Sequence, residues 1–295
     1  VLVPSLTYVG SFQAISATGA TPVACEIDSN TFFLNVKDVR NKITDRTKAI
    51  MAVHYASSAN DMDAVYALAK EFNLRVIEDA AQAFGCARNN KAVGVDGDII
   101  CFSFDGIKNI TCGEGGAILT RDKQVLERLR DGRLLGVQKD SENRYAGRRS
   151  WDFDVVNQGF RFHMSNINAS IGIAQLKKIE VFKTKRQEIA RRYVDTFSTL
   201  SQVSVLDLDY NQIMPHIFVI KADSRDQLRQ HLLENGIECG LHYKPNHLLT
   251  KYAGKSKLPI TEFCYSRAIT LPCHTDLTIK EQEFVVQKVR DFYCG

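Results

Sequence analysis

The sequence contains no apolar run near the ~20 residues that a membrane-spanning helix needs, and no basic start followed by a cleavage signal. A membrane or secreted protein is therefore not expected. No C-x-x-C pair occurs among the eight cysteines, and Cys86 and Cys101 lie in apolar stretches. This pattern favours a reduced cytoplasmic protein over a disulfide framework or a zinc site.

Neither sign of charge is in strong excess. The formal net charge is +4, with 24% charged residues. A nucleic-acid partner is therefore not expected, although a mild positive excess suits a substrate that carries phosphate. No G-x-G-x-x-G pattern follows the first strand-like run, which argues against a nicotinamide-binding domain. A chain of 295 residues with 44% hydrophobic residues is long enough for one large domain and a smaller one.

Short apolar runs alternate with helical patterns over the first 120 residues. The strand candidates are 1–4, 21–27, 49–55, 74–77 and 98–104. Helices are expected at 36–42 and after Asp61, where apolar residues recur at the spacing of one buried helix face. This alternation predicts an α/β fold with a mainly parallel sheet flanked by helices. In such sheets the chemistry collects beyond the carboxyl ends of the strands.

The second half of the chain changes character. Residues 130–150 form a polar, arginine-rich stretch that predicts a long loop, and one helical pattern runs from Ser165 to about Phe197. The remainder predicts strands at 217–221 and 238–243 and helices at 225–235 and 280–292. We therefore expect a large domain at 1–164, a long connecting helix at 165–198 and a small α+β domain at 199–295.

Two residues of opposite charge follow neighbouring predicted strands. Asp79 stands at the carboxyl end of a buried strand, where a bare carboxylate is costly without a cationic partner. Lys108 lies just past the next strand, in a turn that contains Gly106. The pair is either an active site or a salt bridge that steadies the edge of the sheet. These two residues alone leave both interpretations open.

Ordered sequence motifs extend over nearly the whole chain. They are P-S-L-T-Y-V at 4–9, E-D-A-A-Q-A at 78–83, S-F-x-x-x-K at 103–108, G-E-G-G at 113–116, H-Y-x-P-x-H at 242–247 and L-P-C-H at 271–274. Together they resemble the DegT/StrS-type sugar aminotransferases, which are fold-type-I pyridoxal-phosphate enzymes. The resemblance implies an aspartate-aminotransferase-like large domain followed by a smaller C-terminal α+β domain.

The resemblance also implies roles for individual residues. Lys108 would bind pyridoxal 5'-phosphate as a Schiff base and move a proton between substrate and cofactor carbons. Asp79 would keep the ring nitrogen protonated, so that the ring accepts electrons. The other implied cofactor contacts are Tyr8 against the ring face, Gln82 at the ring hydroxyl, Ser103 at the phosphate, and Arg161 at the phosphate of a neighbouring subunit. An ordinary core aromatic is the alternative for Tyr8.

The family aminates nucleotide-linked keto-deoxysugars, with glutamate as the usual donor, for products such as surface polysaccharide or O-antigen. The pyrophosphate of such a substrate needs cations. The candidates lie in the arginine-rich stretch: Arg130, Arg133, Arg144, Arg148 and Arg149. A solvated surface loop is the alternative. Tyr243 and His247 are expected to approach the sugar. The nucleotide, the sugar and the aminated ring carbon, C3 or C4, stay open.

The chain also departs from the family pattern. Family members carry a segment before the P-S-x-T-F-V turn, including an S-G-T element whose backbone amides bind the cofactor phosphate. The sequence begins at Val1, so we expect this segment to be missing. That keeps open a truncated, non-catalytic relative that binds a sugar nucleotide or a partner subunit. A dehydratase of the same family would carry histidine at Lys108. In the family the active site lies at a subunit interface, so the resemblance implies at least a homodimer.

Overall fold

A six-stranded sheet forms the centre of the molecule. The computed structural model describes residues 1–58, 62–138, 146–147, 153–254 and 256–295. In chain order the strands of the first half are β1 (Leu2–Pro4), β2 (Val23–Cys25), β3 (Ala49–Val53), β4 (Arg75–Asp79), β5 (Ala87–Arg88), β6 (Lys91–Ala92), β7 (Ile99–Ser103) and β8 (Gly116–Thr120). The sheet order is β2-β1-β3-β4-β7-β8, and β5 and β6 form a separate hairpin. All neighbours are parallel except β7 and β8, which confirms the expected mainly parallel sheet.

Helices cover both faces of this sheet. Those of the described residues are α1 (Val9–Ala17), α2 (Val36–Lys42), α3 (Met62–Glu71), α4 (Lys123–Gly132), α5 (Asn166–Leu176), α6 (Ile179–Phe197), α7 (Arg225–Glu234), α8 (Pro259–Arg267) and α9 (Ile279–Cys294). Successive strand residues point to opposite faces. Leu2 and Ile50 therefore pack with α2 and α3, whereas Val3 and Met51 pack with α1. No helix among the described residues has the length and apolarity to cross a membrane.

The strand register sets the position of the site. Val53 of β3 pairs with Asp79 of β4, and Asp79 pairs with Cys101 of β7. The carboxyl ends of these three strands therefore lie side by side at one edge. The side chains that follow them meet there.

The C-terminal part contains a second, antiparallel sheet. Its strands are β9 (Val203–Val205), β10 (Phe218–Ala222) and β11 (Ala268–Leu271), in the order β11-β10-β9. One buried cluster contains Phe102 of β7, Tyr193 of α6 and Phe218 of β10. The core is thus continuous between the parts that the sequence divides into two domains, and that division stays a prediction.

Three elements differ from the sequence-based prediction. The expected single helix over 165–198 is two helices, α5 and α6, because Lys178 leaves helical geometry with φ −107° and ψ 0°. The expected strand at 238–243 is wrong, since only Gly240 forms a bridge, to Thr270. Strand β8 is an additional element that precedes α4, and it forms the antiparallel edge of the main sheet.

Candidate active site

The carboxylate of Asp79 is held from two sides at the end of β4. The Ser11 hydroxyl on α1 donates to its Oδ2 at 2.6 Å, and the Ala81 backbone N–H donates to its Oδ1 at 3.2 Å. Both oxygens are therefore fixed by donors from different parts of the chain. The side chain is only partly buried, which leaves it accessible from the edge of the sheet.

Lys108 lies in the turn that follows β7. Asp105 shapes this turn: its carbonyl accepts from the Lys108 N–H at 3.0 Å and its Oδ1 accepts from the Ile107 N–H at 3.0 Å. Burial lowers the pKa of Lys108, against the carboxylates of Asp105 and Asp79, which act to raise it. A lowered pKa increases the neutral amine fraction at a given pH, and the neutral amine is the nucleophilic form.

Two histidines extend the site around the Lys108 amine. Burial, together with the Lys108 cation, lowers the pKa of His216 to about 3 and lowers that of His242 as well. Both imidazoles are therefore neutral near pH 7. His242 Nδ1 is hydrogen bonded to Thr270 Oγ1 at 2.8 Å. Nδ1 of His216 is buried and has no hydrogen-bond partner in the part of the chain that the structure describes.

Tyr8, Gln82 and Tyr243 form the aromatic and amide part of the site. The rings of Tyr8 and Tyr243 lie 5.6 Å apart between centroids. Gln82 Nε2 donates to the Tyr243 hydroxyl at 3.0 Å, while its Oε1 accepts from the Ala56 N–H at 2.7 Å. Burial, with Asp79 nearby, raises the pKa of Tyr243 to about 12. The Tyr8 side chain is 61% exposed, so it is not a core aromatic.

The structure therefore brings together most of the residues that the sequence singles out. Tyr8 and Gln82 each contact Tyr243, and Asp79 acts electrostatically on both Tyr243 and Lys108. Ser103 ends β7 next to the lysine turn, where its hydroxyl accepts from the Asp105 N–H at 3.3 Å. It lies at the same edge as Asp79.

His247 has a different environment from the one expected. Its side chain is 5% exposed. Nδ1 is hydrogen bonded to Ser5 Oγ at 2.7 Å and Nε2 to Glu262 Oε1 at 3.1 Å. Both ring nitrogens are thus engaged within the protein, and a contact with substrate stays a prediction.

The predicted arginines lie near the end of α4 or outside the described residues. Arg161 is exposed and forms a backbone bridge with Leu134. Arg133 lies directly after α4, beside the same segment. Arg148, together with Arg144 and Arg149, lies outside the residues that the structure describes.

Two neighbours of the site carry no local sequence signal. Ser11 is one of several serines in its segment, and its contact with Asp79 joins residues 68 positions apart. His216 precedes β10 in an apolar stretch. Neither lies in a charged or glycine-rich pattern, and only the tertiary fold brings them to the site.

Comparison with known proteins identifies the family. A model of the DegT/DnrJ/EryC1/StrS aminotransferase family matches residues 1–290. The chain belongs to this family. The expected resemblance is therefore confirmed over almost the whole sequence.

Individual proteins are similar to this chain in sequence and in structure. GDP-perosamine synthase of Escherichia coli O157:H7 is 38% identical over 296 residues, which cover 99% of this chain and 79% of the relative. The aminotransferase TlmJ of Streptoalloteichus hindustanus superposes with a TM-score of 0.90 at 31% identity, covering 98% of this chain and 78% of TlmJ. The PMP form of Spr1654, a sugar aminotransferase candidate from Streptococcus pneumoniae, gives 0.89 at 27% identity, with 98% and 80% covered.

Family membership makes this chain a pyridoxal-phosphate-dependent aminotransferase of nucleotide-linked sugars. The groups at the sheet edge fit that cofactor. They include an amine with a lowered pKa, a carboxylate fixed by two donors, an amide that donates one of its two hydrogens to Tyr243, and an aromatic ring with an exposed face. In that order, these protein groups suit the aldehyde, the ring nitrogen, the ring hydroxyl and the flat ring of pyridoxal phosphate.

Proposed function

We propose that the residues at this edge hold pyridoxal phosphate and transfer an amino group from glutamate to a keto-deoxysugar carried on a nucleotide. The observation that carries the proposal is the placement of Lys108 and Asp79 around one exposed edge, with Tyr8, Gln82 and Tyr243 beside them. When bound, the cofactor supplies an aldehyde that takes up the amino group and a ring that accepts an electron pair.

The charged residues divide the chemistry between them. Lys108 Nζ would hold the cofactor through its aldehyde and would carry a proton to or from the reacting carbon. Asp79 would supply the negative charge that favours a protonated ring nitrogen. His216 and His242 are neutral neighbours of the lysine, because burial lowers the pKa of both imidazoles and so disfavours their charged forms near Nζ.

The uncharged residues orient the cofactor. Gln82 uses one of its two amide hydrogens on Tyr243, which leaves the other for the ring hydroxyl. Ser103 offers its hydroxyl to the phosphate, and Tyr8 offers an exposed ring face for contact. Tyr243, which contacts Tyr8 and Gln82, would meet the sugar.

The glutamate proposal has a direct test. Glutamate added to cofactor-loaded protein should reduce the visible absorbance of the cofactor and yield one equivalent of 2-oxoglutarate per site. A nucleotide-linked keto sugar added next should restore the absorbance and yield the amino sugar, measured by mass spectrometry. Aspartate and glutamine serve as control donors. Formation of oxaloacetate from aspartate with no 2-oxoglutarate from glutamate would contradict the assignment of the donor.

We further propose that the protein is a homodimer, with a second copy covering one apolar face. This face, here called the β8 face, exposes Ile118, Phe160, Phe162, Ile167 and Ile171. Phe160 and Phe162 stack with their ring centroids 5.0 Å apart beside a groove of about 1080 Å³. Contiguous apolar surface of this kind is typical of protein interfaces. Arg161, between the two phenylalanines, would reach the neighbouring active site.

The dimer proposal predicts the effect of one charge on the β8 face. Phe162→Asp should weaken dimerisation by about a hundredfold or more, because an interface would bury an unpaired carboxylate. Light scattering during gel filtration should show wild-type protein at twice the mass of one chain and the variant at that of one chain. Phe263→Asp on α8, where the side chain is 61% exposed against 75% for Phe162, is the control and should leave the dimer intact. A dimeric Phe162→Asp variant would place the interface elsewhere.

A further inference from the structure

The Ser11 hydroxyl has one acceptor that fixes its direction. Ser11 lies inside α1 and is 5% exposed, and its Oγ is 2.6 Å from Asp79 Oδ2. An ionised carboxylate can only accept hydrogen bonds. The hydroxyl hydrogen of Ser11 therefore points at Asp79, and charge-assisted bonds of this kind are among the stronger ones in proteins.

Thr7 completes the orientation of that hydroxyl. Its Oγ1 lies 3.1 Å from Ser11 Oγ. Because Ser11 donates its single hydroxyl hydrogen to Asp79, Thr7 must be the donor in its contact with Ser11. The Thr7 carbonyl in turn accepts from Asn246 Nδ2 at 2.8 Å. Thr7 thus donates to Ser11 and Ser11 to Asp79, while Asn246 holds the Thr7 backbone through a separate bond.

Another serine in α1 behaves differently. The hydroxyl of Ser16 donates to the Phe12 carbonyl of its own helix at 3.0 Å, the usual local bond of a serine within a helix, and also contacts the Tyr252 hydroxyl, away from Asp79. Ser11 instead directs its hydrogen to a strand residue. The contact therefore acts on Asp79, and the difference between the two serines supplies a control on the same helix.

We propose that Ser11 is a positioning residue for the reaction: it holds the Asp79 carboxylate for its contact with the cofactor ring nitrogen, and Thr7 fixes the Ser11 hydroxyl. The inference rests on the proposed role of Asp79. The other oxygen of Asp79 accepts from the backbone of its own turn, the Ala81 N–H at 3.2 Å. Without Ser11 the carboxylate would be free to rotate away from the ring nitrogen.

The test compares two ligands that differ only at the ring nitrogen. Apoprotein is titrated with pyridoxal phosphate and with its 1-deaza analogue, in which C–H replaces that nitrogen. Ser11→Ala should weaken binding of pyridoxal phosphate by about tenfold, the loss of one hydrogen bond to a charged group. Binding of the deaza analogue should not change. Ser11→Thr, which keeps the hydroxyl, should bind pyridoxal phosphate as wild type does, and so should Ser16→Ala.

The outcomes separate this inference from the function on which it rests. Equal weakening of both ligands by Ser11→Ala, or no weakening of either, would overturn the role of Ser11. If wild-type protein binds the two ligands equally, Asp79 does not act on the ring nitrogen. The proposed role of Asp79 would then be wrong, and so would the inference about Ser11. If Ser11→Ala does not fold by circular dichroism, Thr7→Val replaces it. That variant should show a smaller loss in the same direction for pyridoxal phosphate alone.

Discussion

Replacement of Lys108 by alanine is expected to lower kcat by about 10⁴-fold or more. The variant loses the amine that binds the cofactor aldehyde and the group that carries the proton at the reacting carbon, and proton transfer alone contributes up to ~10⁴-fold. Steady-state turnover of the nucleotide-linked keto sugar with glutamate measures the loss. Thermal unfolding of the apoprotein should change little, because Lys108 lies in a turn whose backbone bonds do not use its side chain.

The chemical location of the cofactor provides a second measurement of the same prediction. Borohydride reduction of loaded wild-type protein, followed by peptide mass mapping, should attach the cofactor permanently to Lys108. Lys91→Ala is the control, since Lys91 is an exposed lysine that pairs with Asp96 at 2.9 Å. The Lys91→Ala variant should be labelled at Lys108 and should be as active as wild type. A label on Lys91, or near-normal turnover without Lys108, would show that another lysine carries the cofactor.

Asp79→Asn is expected to lower kcat by ~10²–10³-fold, the usual loss when one preorganised electrostatic partner is removed. The change keeps the size of the side chain and removes the negative charge that favours a protonated ring nitrogen. Folding should survive, because a neutral amide is cheaper to bury than a carboxylate. The variant is compared with wild type in kcat and in thermal unfolding of the apoprotein.

A matched carboxylate distinguishes the ring nitrogen from a general effect of charge. Asp105 also acts on Lys108, but its side chain accepts from the N–H of its own turn, and an asparagine can still accept there. Asp105→Asn should therefore change kcat only a few-fold by loss of one charge near the amine, within the range of a partly exposed pair. Similar losses in the two variants would mean that Asp79 acts only as a nearby charge.

The strands that hold the site could be predicted because they are short apolar runs that end in polar residues. Strand β3 is buried along its whole length, and β4 and β7 end at Asp79 and Ser103. Strand β8 is harder to predict, since it begins with glycine and is largely exposed on the β8 face. Helix α1 is equally difficult, because glycine and two serines interrupt any apolar periodicity.

The residues with a chemical role divide in the same way. Asp79 and Lys108 are predictable because charged groups at the ends of adjacent parallel strands converge by topology alone. The interaction of Ser11 with Asp79 depends on how α1 packs, and the position of His216 depends on how the C-terminal part meets the lysine turn. The environment of His247 shows the reverse case, since its motif suggests substrate while its ring binds Ser5 and Glu262.

The bonds between the amino-terminal turn and the C-terminal part limit how chimaeras can be built. Asn246 donates from its side chain to the carbonyls of Ser5 and Thr7, and the His247 N–H donates to Ser5 Oγ. An exchange of residues 199–295 between relatives, aimed at a new sugar preference, would therefore replace Asn246 and His247 but keep Ser5 and Thr7. Swaps that carry residues 4–11 together with the C-terminal part should retain cofactor binding. Swaps that separate the two parts should weaken cofactor binding, because the turn at 4–7 that positions Tyr8 would lose its contacts with the C-terminal part.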